Sequence, residues 1–158
     1  MRFVVYGAGA VGGVVGVQLH RAGYDVTLVA RGRHLQTIKH SGLVLETPME
    51  RVTVDIPAVN RISKAKADRD TVVLLTMKSQ DTADALDELR QVAGHTTAVV
   101  CIQNGVENER MALRRFQNVY GVSVMCPCAF LEPGSVQAYS APVTGILDIG
   151  RYPNGTDE

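Results

Sequence analysis

The sequence predicts an α/β protein with a doubly wound, mostly parallel sheet and short β edge elements after the last helix, and three features carry that prediction. Apolar runs such as Val72-Val73-Leu74-Leu75 and Ala98-Val99-Val100-Cys101-Ile102 show no polar alternation, as expected of strands covered by helices on both faces. These runs alternate with stretches whose apolar residues recur at helical spacing. A glycine-rich turn joins the first strand to the first helix.

Residues 2–6 form an almost unbroken apolar strand, and glycines follow before Val11, Val14, Val15, Leu19 and Ala22 recur with a helical period. This helix is rich in valine and carries Gly16, so its intrinsic propensity is poor and packing against a sheet must hold it. Gly23 ends it as a C-terminal glycine does, and residues 24–30 resume a strand. Residues 35–40 suit a short helix, and residues 42–57, with alternating Val52, Val54 and Ile56, suit short β segments about a Thr47-Pro48 turn. From residue 71 the alternation returns as strand 71–77, helix 82–91, strand 97–102, helix 106–116 and strand 119–125. Beyond Cys126 the helical period is lost, Pro133-Gly134 marks a turn, and residues 136–139 and 145–149 read as short edge strands. Residues 1–150 therefore make one domain, and the polar, turn-rich residues 151–158 read as a tail or the start of a linker.

Sixteen basic and sixteen acidic side chains cancel, with no block of like charge, so a nucleic-acid partner is not expected. No run approaches the roughly 20 apolar residues of a membrane helix, and Gly7, Gly9, Gly12 and Gly13 interrupt the opening stretch that mimics a secretory signal. Cys101, Cys126 and Cys128 are odd in number, and Cys126-Pro127-Cys128 has no second pair to complete a zinc site. A reduced, cytoplasmic setting and a structural role for these cysteines follow. His20, His34, His40 and His95 are scattered without metal-ligand spacing, and no metal is expected.

Gly7-Ala8-Gly9-Ala10-Val11-Gly12 is a G-x-G-x-x-G run in the right setting, leaving a strand, opening a helix and followed by a second strand. That is the signature of a Rossmann dinucleotide-binding unit. Gly7 permits the tight turn, Gly9 lets a diphosphate approach the backbone, and Gly12 lets helix and strand lie close. The helix amino terminus offers unpaired N–H groups and roughly half a positive charge to the phosphates. Where the second strand ends, an NAD-specific unit places an acid, but this chain reads Val29-Ala30-Arg31-Gly32-Arg33. Arg31 suits a 2′-phosphate and an adenine face, with Arg33 as a second contact, so NADP(H) is the expected cofactor. Two later strands end at Lys78 and at Gln103-Asn104-Gly105, on the edge where ligands of such sheets bind. Lys78 suits a carboxylate or ribose oxygens, and Asn104 a carbonyl or ribose; Asn104-Gly105-Val106-Glu107 also has the form of a helix capping box.

These blocks together, with Thr76-Met77-Lys78, Gln103-Asn104-Gly105-Val106, Pro133-Gly134 and Ile149-Gly150 in order, resemble the N-terminal domain of the ketopantoate reductase family. The resemblance implies NADPH-dependent reduction of a 2-oxo acid, 2-dehydropantoate, to pantoate in pantothenate biosynthesis. It places Gly7, Ala8, Gly9, Ala10, Val11, Gly12 and Arg31 on the cofactor, and Lys78 and Asn104 where nicotinamide meets substrate. The family continues into a helical substrate domain that supplies the catalytic lysine, so no catalytic residue is assigned in this chain, which is expected to be inactive alone. An apolar face left near the strand carboxyl ends would invite self-association. The alternatives are a reductase of the same fold for another carbonyl substrate and a non-catalytic dinucleotide-binding module.

Overall fold

The computed structural model of the chain describes residues 1–68 and 70–155. Strand β1 (Arg2–Tyr6) leads through the glycine turn to helix α1 (Ala10–Arg21) and strand β2 (Asp25–Val29). Helix α2 (Gly32–Ser41) and a hairpin of β3 (Leu43–Glu46) and β4 (Arg51–Val54) precede the two-residue strand β5 (Ala58–Val59). Then come β6 (Thr71–Leu75), α3 (Thr82–Val92), β7 (Ala98–Cys101), α4 (Asn108–Leu113) and β8 (Asn118–Met125). The described chain closes with β9 (Cys128–Glu132), β10 (Ser135–Ala138) and β11 (Ile146–Arg151).

Seven strands form the main sheet in the order β11-β8-β7-β6-β1-β2-β5, parallel except for β11, which runs antiparallel to β8. The chain starts at β1, winds outward through β2 to β5, then returns to β6 and winds the other way. This reversal leaves a crevice between the carboxyl ends of β1 and β6, the switch point at which such sheets bind ligands. The apolar runs split by alternate residues into two cores. Val5, Leu74, Val100 and Ile102 pack with α1 and α2, whereas Val4, Val73, Leu75, Val99 and Cys101 pack with α3 and α4.

A second sheet, β4-β3-β10-β9, covers the outer side of α1. This explains how a helix of poor propensity survives. At Gly16 a β-carbon would stand 2.7 Å from a Leu28 methyl of β2, and at Gly13 it would stand 2.6 Å from a Val136 methyl of β10. The helix is held between two sheets, and small residues at both contacts let it fit.

The structure also departs from the expected elements. β10 is an interior strand, parallel to β3 and antiparallel to β9, instead of an edge strand. β5 and β9 lie in segments where no strand was expected. Helix α4 covers Asn108–Leu113 instead of residues 106–116, because Gly105 turns with φ +101° and Arg115 N–H bonds back to the Ala112 carbonyl in a tighter turn. The expected tail is partly folded: β11 runs to Arg151, and the Tyr152 N–H donates to the Val119 carbonyl at 2.9 Å. Residues 156–158 of that tail lie outside the described residues. No helix among the described residues is long and apolar enough to cross a membrane.

Candidate functional site

β1 stops at Tyr6 because Gly7 turns with φ +113°, packed so tightly that a β-carbon would stand 2.7 Å from the Met77 backbone nitrogen. The loop's polar groups are then taken one by one. The N–H groups of Gly7 and Ala8 both donate to the Val29 carbonyl, at 3.2 and 3.1 Å, and Thr76 Oγ1 donates to the Gly7 carbonyl at 2.7 Å. At Gly12 a β-carbon would collide with the Gly7 carbonyl oxygen and lie 2.5 Å from Thr76 Oγ1, so close helix–strand approach is enforced here. Gly9 differs: nothing lies within 4 Å of where its β-carbon would be. Among the described residues, no backbone acceptor takes the N–H groups of Ala10, Val11 or Gly12, the first turn of α1. Gly9, Ala10 and Val11 line the crevice, so the run read as phosphate-binding presents free donors and free space to it.

The crevice has a volume of about 1000 Å³ and spans the switch point from β2 across to β8. At its β2 end stands Arg31, exposed, at the residue that precedes α2. A neighbouring cleft of about 670 Å³ shares Arg31 and adds Asn60, Arg61 and Ser63 from the segment after β5. Arg33 lines neither cleft; its carbonyl accepts from Thr37 Oγ1 one helical turn on, so the second arginine facing this region is Arg61. Glu88 of α3 lies between the two clefts and accepts a 2.6 Å hydrogen bond from the Tyr6 hydroxyl. Burial foremost, then the Glu88 carboxylate, pushes the Tyr6 phenol well above its ordinary range, with Arg31 acting against them.

Lys78 and Asn104 are exposed at the ends of the β6 and β7 connections, and both line the crevice. The expected capping box is not formed. The N-cap of α4 is Glu107, whose side chain pairs with Arg110 at 3.3 Å. Asn108 does the anchoring instead, almost fully buried: its Oδ1 accepts from Thr82 Oγ1 at 2.9 Å, and its Nδ2 donates to Ser79 Oγ at 3.1 Å and to the Asn104 carbonyl at 3.3 Å. Ser79 Oγ donates to the same carbonyl at 3.2 Å, and Gln103 Nε2 donates to Thr82 Oγ1 at 2.8 Å. This network ties the Lys78 loop to the Asn104 loop through the Asn104 backbone carbonyl. Gln103 Oε1, at the crevice wall, is buried with no hydrogen-bond partner among the described residues.

Cys126, Cys128 and Phe130 form the β8–β9 wall of the crevice. The two cysteines, expected to be structural, thus face the ligand space as free thiols. Burial is the main cause that raises both, Cys128 to about 12, where a charge on Cys126 adds to it. Sequence reasoning missed these wall residues, along with Glu88, Arg61 and Asn108. The signal available was the position of Cys126 at a strand's carboxyl end, the same signal that singled out Lys78.

Fold and crevice together define a Rossmann-type α/β domain with an open cleft at its switch point. The model of the family "Ketopantoate reductase PanE/ApbA" matches residues 3–154, and the chain belongs to that family. It is 35% identical over 158 residues to the 2-dehydropantoate 2-reductase of Pyrococcus horikoshii, covering 100% of this chain and 50% of the relative. Among solved structures, a PanE/ApbA family ketopantoate reductase from Ralstonia eutropha superposes with a TM-score of 0.81 at 33% identity, over 87% of this chain and 46% of that one. A D-mandelate dehydrogenase in ternary complex with NADH and anilino(oxo)acetate superposes with a TM-score of 0.85 at 25% identity, over 98% of this chain and 50% of that one. The chain spans about half the length of the relatives it matches.

Proposed function

We propose that this chain is the cofactor-binding half of an NADPH-dependent 2-oxo acid reductase, acting on 2-dehydropantoate. The observation that carries the reading is the first turn of α1, where the free N–H groups of Ala10, Val11 and Gly12 adjoin the unfilled space at Gly9. A dinucleotide diphosphate fits these donors without any basic side chain. NADPH rather than NADH is favoured by Arg31 and Arg61, two guanidinium groups beside one cleft at the end of β2, where no acid follows the strand. When bound, NADPH supplies a hydride. The chain's own part is to bind and orient: Lys78 and Asn104 frame the meeting point of nicotinamide and substrate, and the partnerless Gln103 Oε1 accepts an N–H there. Lys78 recognises charge and is assigned no proton transfer, which belongs to a group outside this chain.

A second reading keeps the cofactor half and changes the acid, and one observation favours it: the D-mandelate dehydrogenase that superposes with a TM-score of 0.85 was solved with NADH and anilino(oxo)acetate. The apolar side chains exposed on β8, β9 and β11, among them Met125, Leu131, Ile146 and Ile149, suit packing against the rest of such an enzyme and favour self-association without it. Titration of the chain with NADPH and NADH, read by nicotinamide fluorescence, tests the cofactor half. NADPH is expected to bind about tenfold to a few hundredfold more tightly, one or two charge-assisted hydrogen bonds in worth. Arg31→Asp and Arg61→Ala should each erode that preference while sparing NADH. Equal affinities for the two cofactors in the unaltered chain would remove the case for NADPH.

A further inference from the structure

His34 lies on α2 three residues past Arg31, buried, and its ring touches three separate parts of the fold. Nδ1 accepts a 2.9 Å hydrogen bond from the Gly134 N–H at the β9–β10 turn. A ring nitrogen that accepts carries no proton, so in the neutral ring Nε2 bears the hydrogen and donates it to the Ala8 carbonyl at 2.7 Å. Phe130 of β9 meets the ring edge to face, with centroids 4.5 Å apart. The Ala8 carbonyl is the one acceptor of the glycine loop that points to a side chain of α2; its peptide partner, the Gly9 N–H, turns back to the Gly7 carbonyl at 2.8 Å. The Ala8–Gly9 peptide plane is therefore clamped at both ends, immediately before the free donors of α1. Gly134 lies close against α2: it turns with φ +83°, and a β-carbon there would collide with Thr37.

We propose that His34 is a positioning residue for the cofactor, tying the glycine loop to the β9–β10 turn and so holding the loop in its diphosphate-binding shape. The inference rests on reading that loop as the diphosphate site. It requires the neutral ring: a second ring proton would face the Gly134 N–H donor to donor and break the tie. The titratable groups on the surrounding elements are Arg31 just before α2, Arg33, Lys39 and His40 on α2, and Cys128 and Glu132 on β9; the glycine loop has none. Burial, the larger influence, lowers the imidazole below its ordinary value, and the Ala8 carbonyl opposes it. Diphosphate affinity is therefore level at neutral pH and falls as acid protonates His34.

The test measures binding to the 158-residue chain of two probes. NADH carries the diphosphate and has no phosphate group that ionises between about pH 5 and 8, unlike the 2′-phosphate of NADPH, which ionises near pH ~6. Adenosine 2′-monophosphate engages the Arg31 side but not the loop. His34→Phe should weaken NADH about tenfold, the worth of one or two hydrogen bonds, while adenosine 2′-monophosphate binds within about twofold of normal, which also verifies the fold. His34→Gln, which donates and accepts without titrating, should restore most NADH binding and abolish its decline in acid. Unchanged NADH binding in His34→Phe, equal loss of both probes, or a His34→Gln profile as acid-sensitive as the parent would each overturn the proposal. If the unaltered chain bound adenosine 2′-monophosphate but not NADH, the reading of the loop itself would fail, and the proposal with it.

Discussion

Gly9 and Gly12 belong to one motif, yet the structure assigns opposite consequences to adding a methyl group at each. At Gly9 the backbone is extended, with φ −75° and ψ −153°, and the added carbon meets nothing within 4 Å. Gly9→Ala should therefore fold normally, its stability within about 1 kcal/mol of the parent, since lost N-cap preference and reduced unfolded-state entropy pull against each other. The methyl group occupies the space that a diphosphate needs beside the free N–H groups, so NADPH affinity should fall by about tenfold to a hundredfold, matching two lost hydrogen bonds. At Gly12 the added carbon runs into the Gly7 carbonyl and lies 2.5 Å from Thr76 Oγ1, both part of the turn that aligns β1 with β6. Overpacking against backbone costs about 1–3 kcal/mol, which for a chain of this size lowers the melting temperature by roughly 2–12 °C. Circular dichroism melts and NADPH titrations of the two variants separate the effects. A Gly9→Ala chain that binds NADPH like the parent, or a Gly12→Ala chain that melts with it, would refute the assignment of roles.

Two further outcomes follow from the crevice walls. Asn108→Ala leaves the buried Thr82 hydroxyl without its acceptor and removes one of the two donors to the Asn104 carbonyl, and should cost about 1–3 kcal/mol in urea unfolding together with weaker NADPH binding as the Lys78 and Asn104 loops come apart; full stability would show the network to be dispensable. Because burial raises the Cys101 and Cys128 thiols to about 12, against 9.0 for an ordinary thiol, their reactive thiolates are scarce at neutral pH and grow only as pH rises toward that value. Iodoacetamide at about pH 8 should label both roughly a hundredfold or more slower in the native chain than after unfolding, with bound NADPH slowing Cys128 further; peptide mapping that finds fast labelling of native Cys128 would contradict its placement.

Legibility followed the range of the interaction. The β1–α1–β2 unit and the strands β6, β7 and β8 were readable because each is declared by its own residues: unbroken apolar runs covered on both faces, and a glycine motif whose neighbours in sequence are its neighbours in space. Lys78 and Asn104 were readable as strand-end residues for the same reason. The second sheet was not, since β10 pairs with β3 across some ninety residues of chain and Cys128–Glu132 shows neither alternation nor a β-branched run. Asn104 was read as a helix cap, whereas the side chain that anchors this loop is that of Asn108, because a capping box and a buried asparagine look alike until one sees which side chain is inside.

By itself, the sequence determined the alternation of strands and helices in a doubly wound, mostly parallel sheet, the glycine turn after β1 and the arginine at the end of β2, all consequences of hydrophobic period and local backbone freedom. Only the tertiary structure decided what surrounds that turn: His34 on its Ala8 carbonyl, Arg61 in place of Arg33 beside Arg31, and Cys126, Cys128 and Phe130 as the far wall. The physical reason is that a backbone turn is written in the residues that make it, whereas a contact between side chains far apart in the chain depends on where both elements are carried by packing.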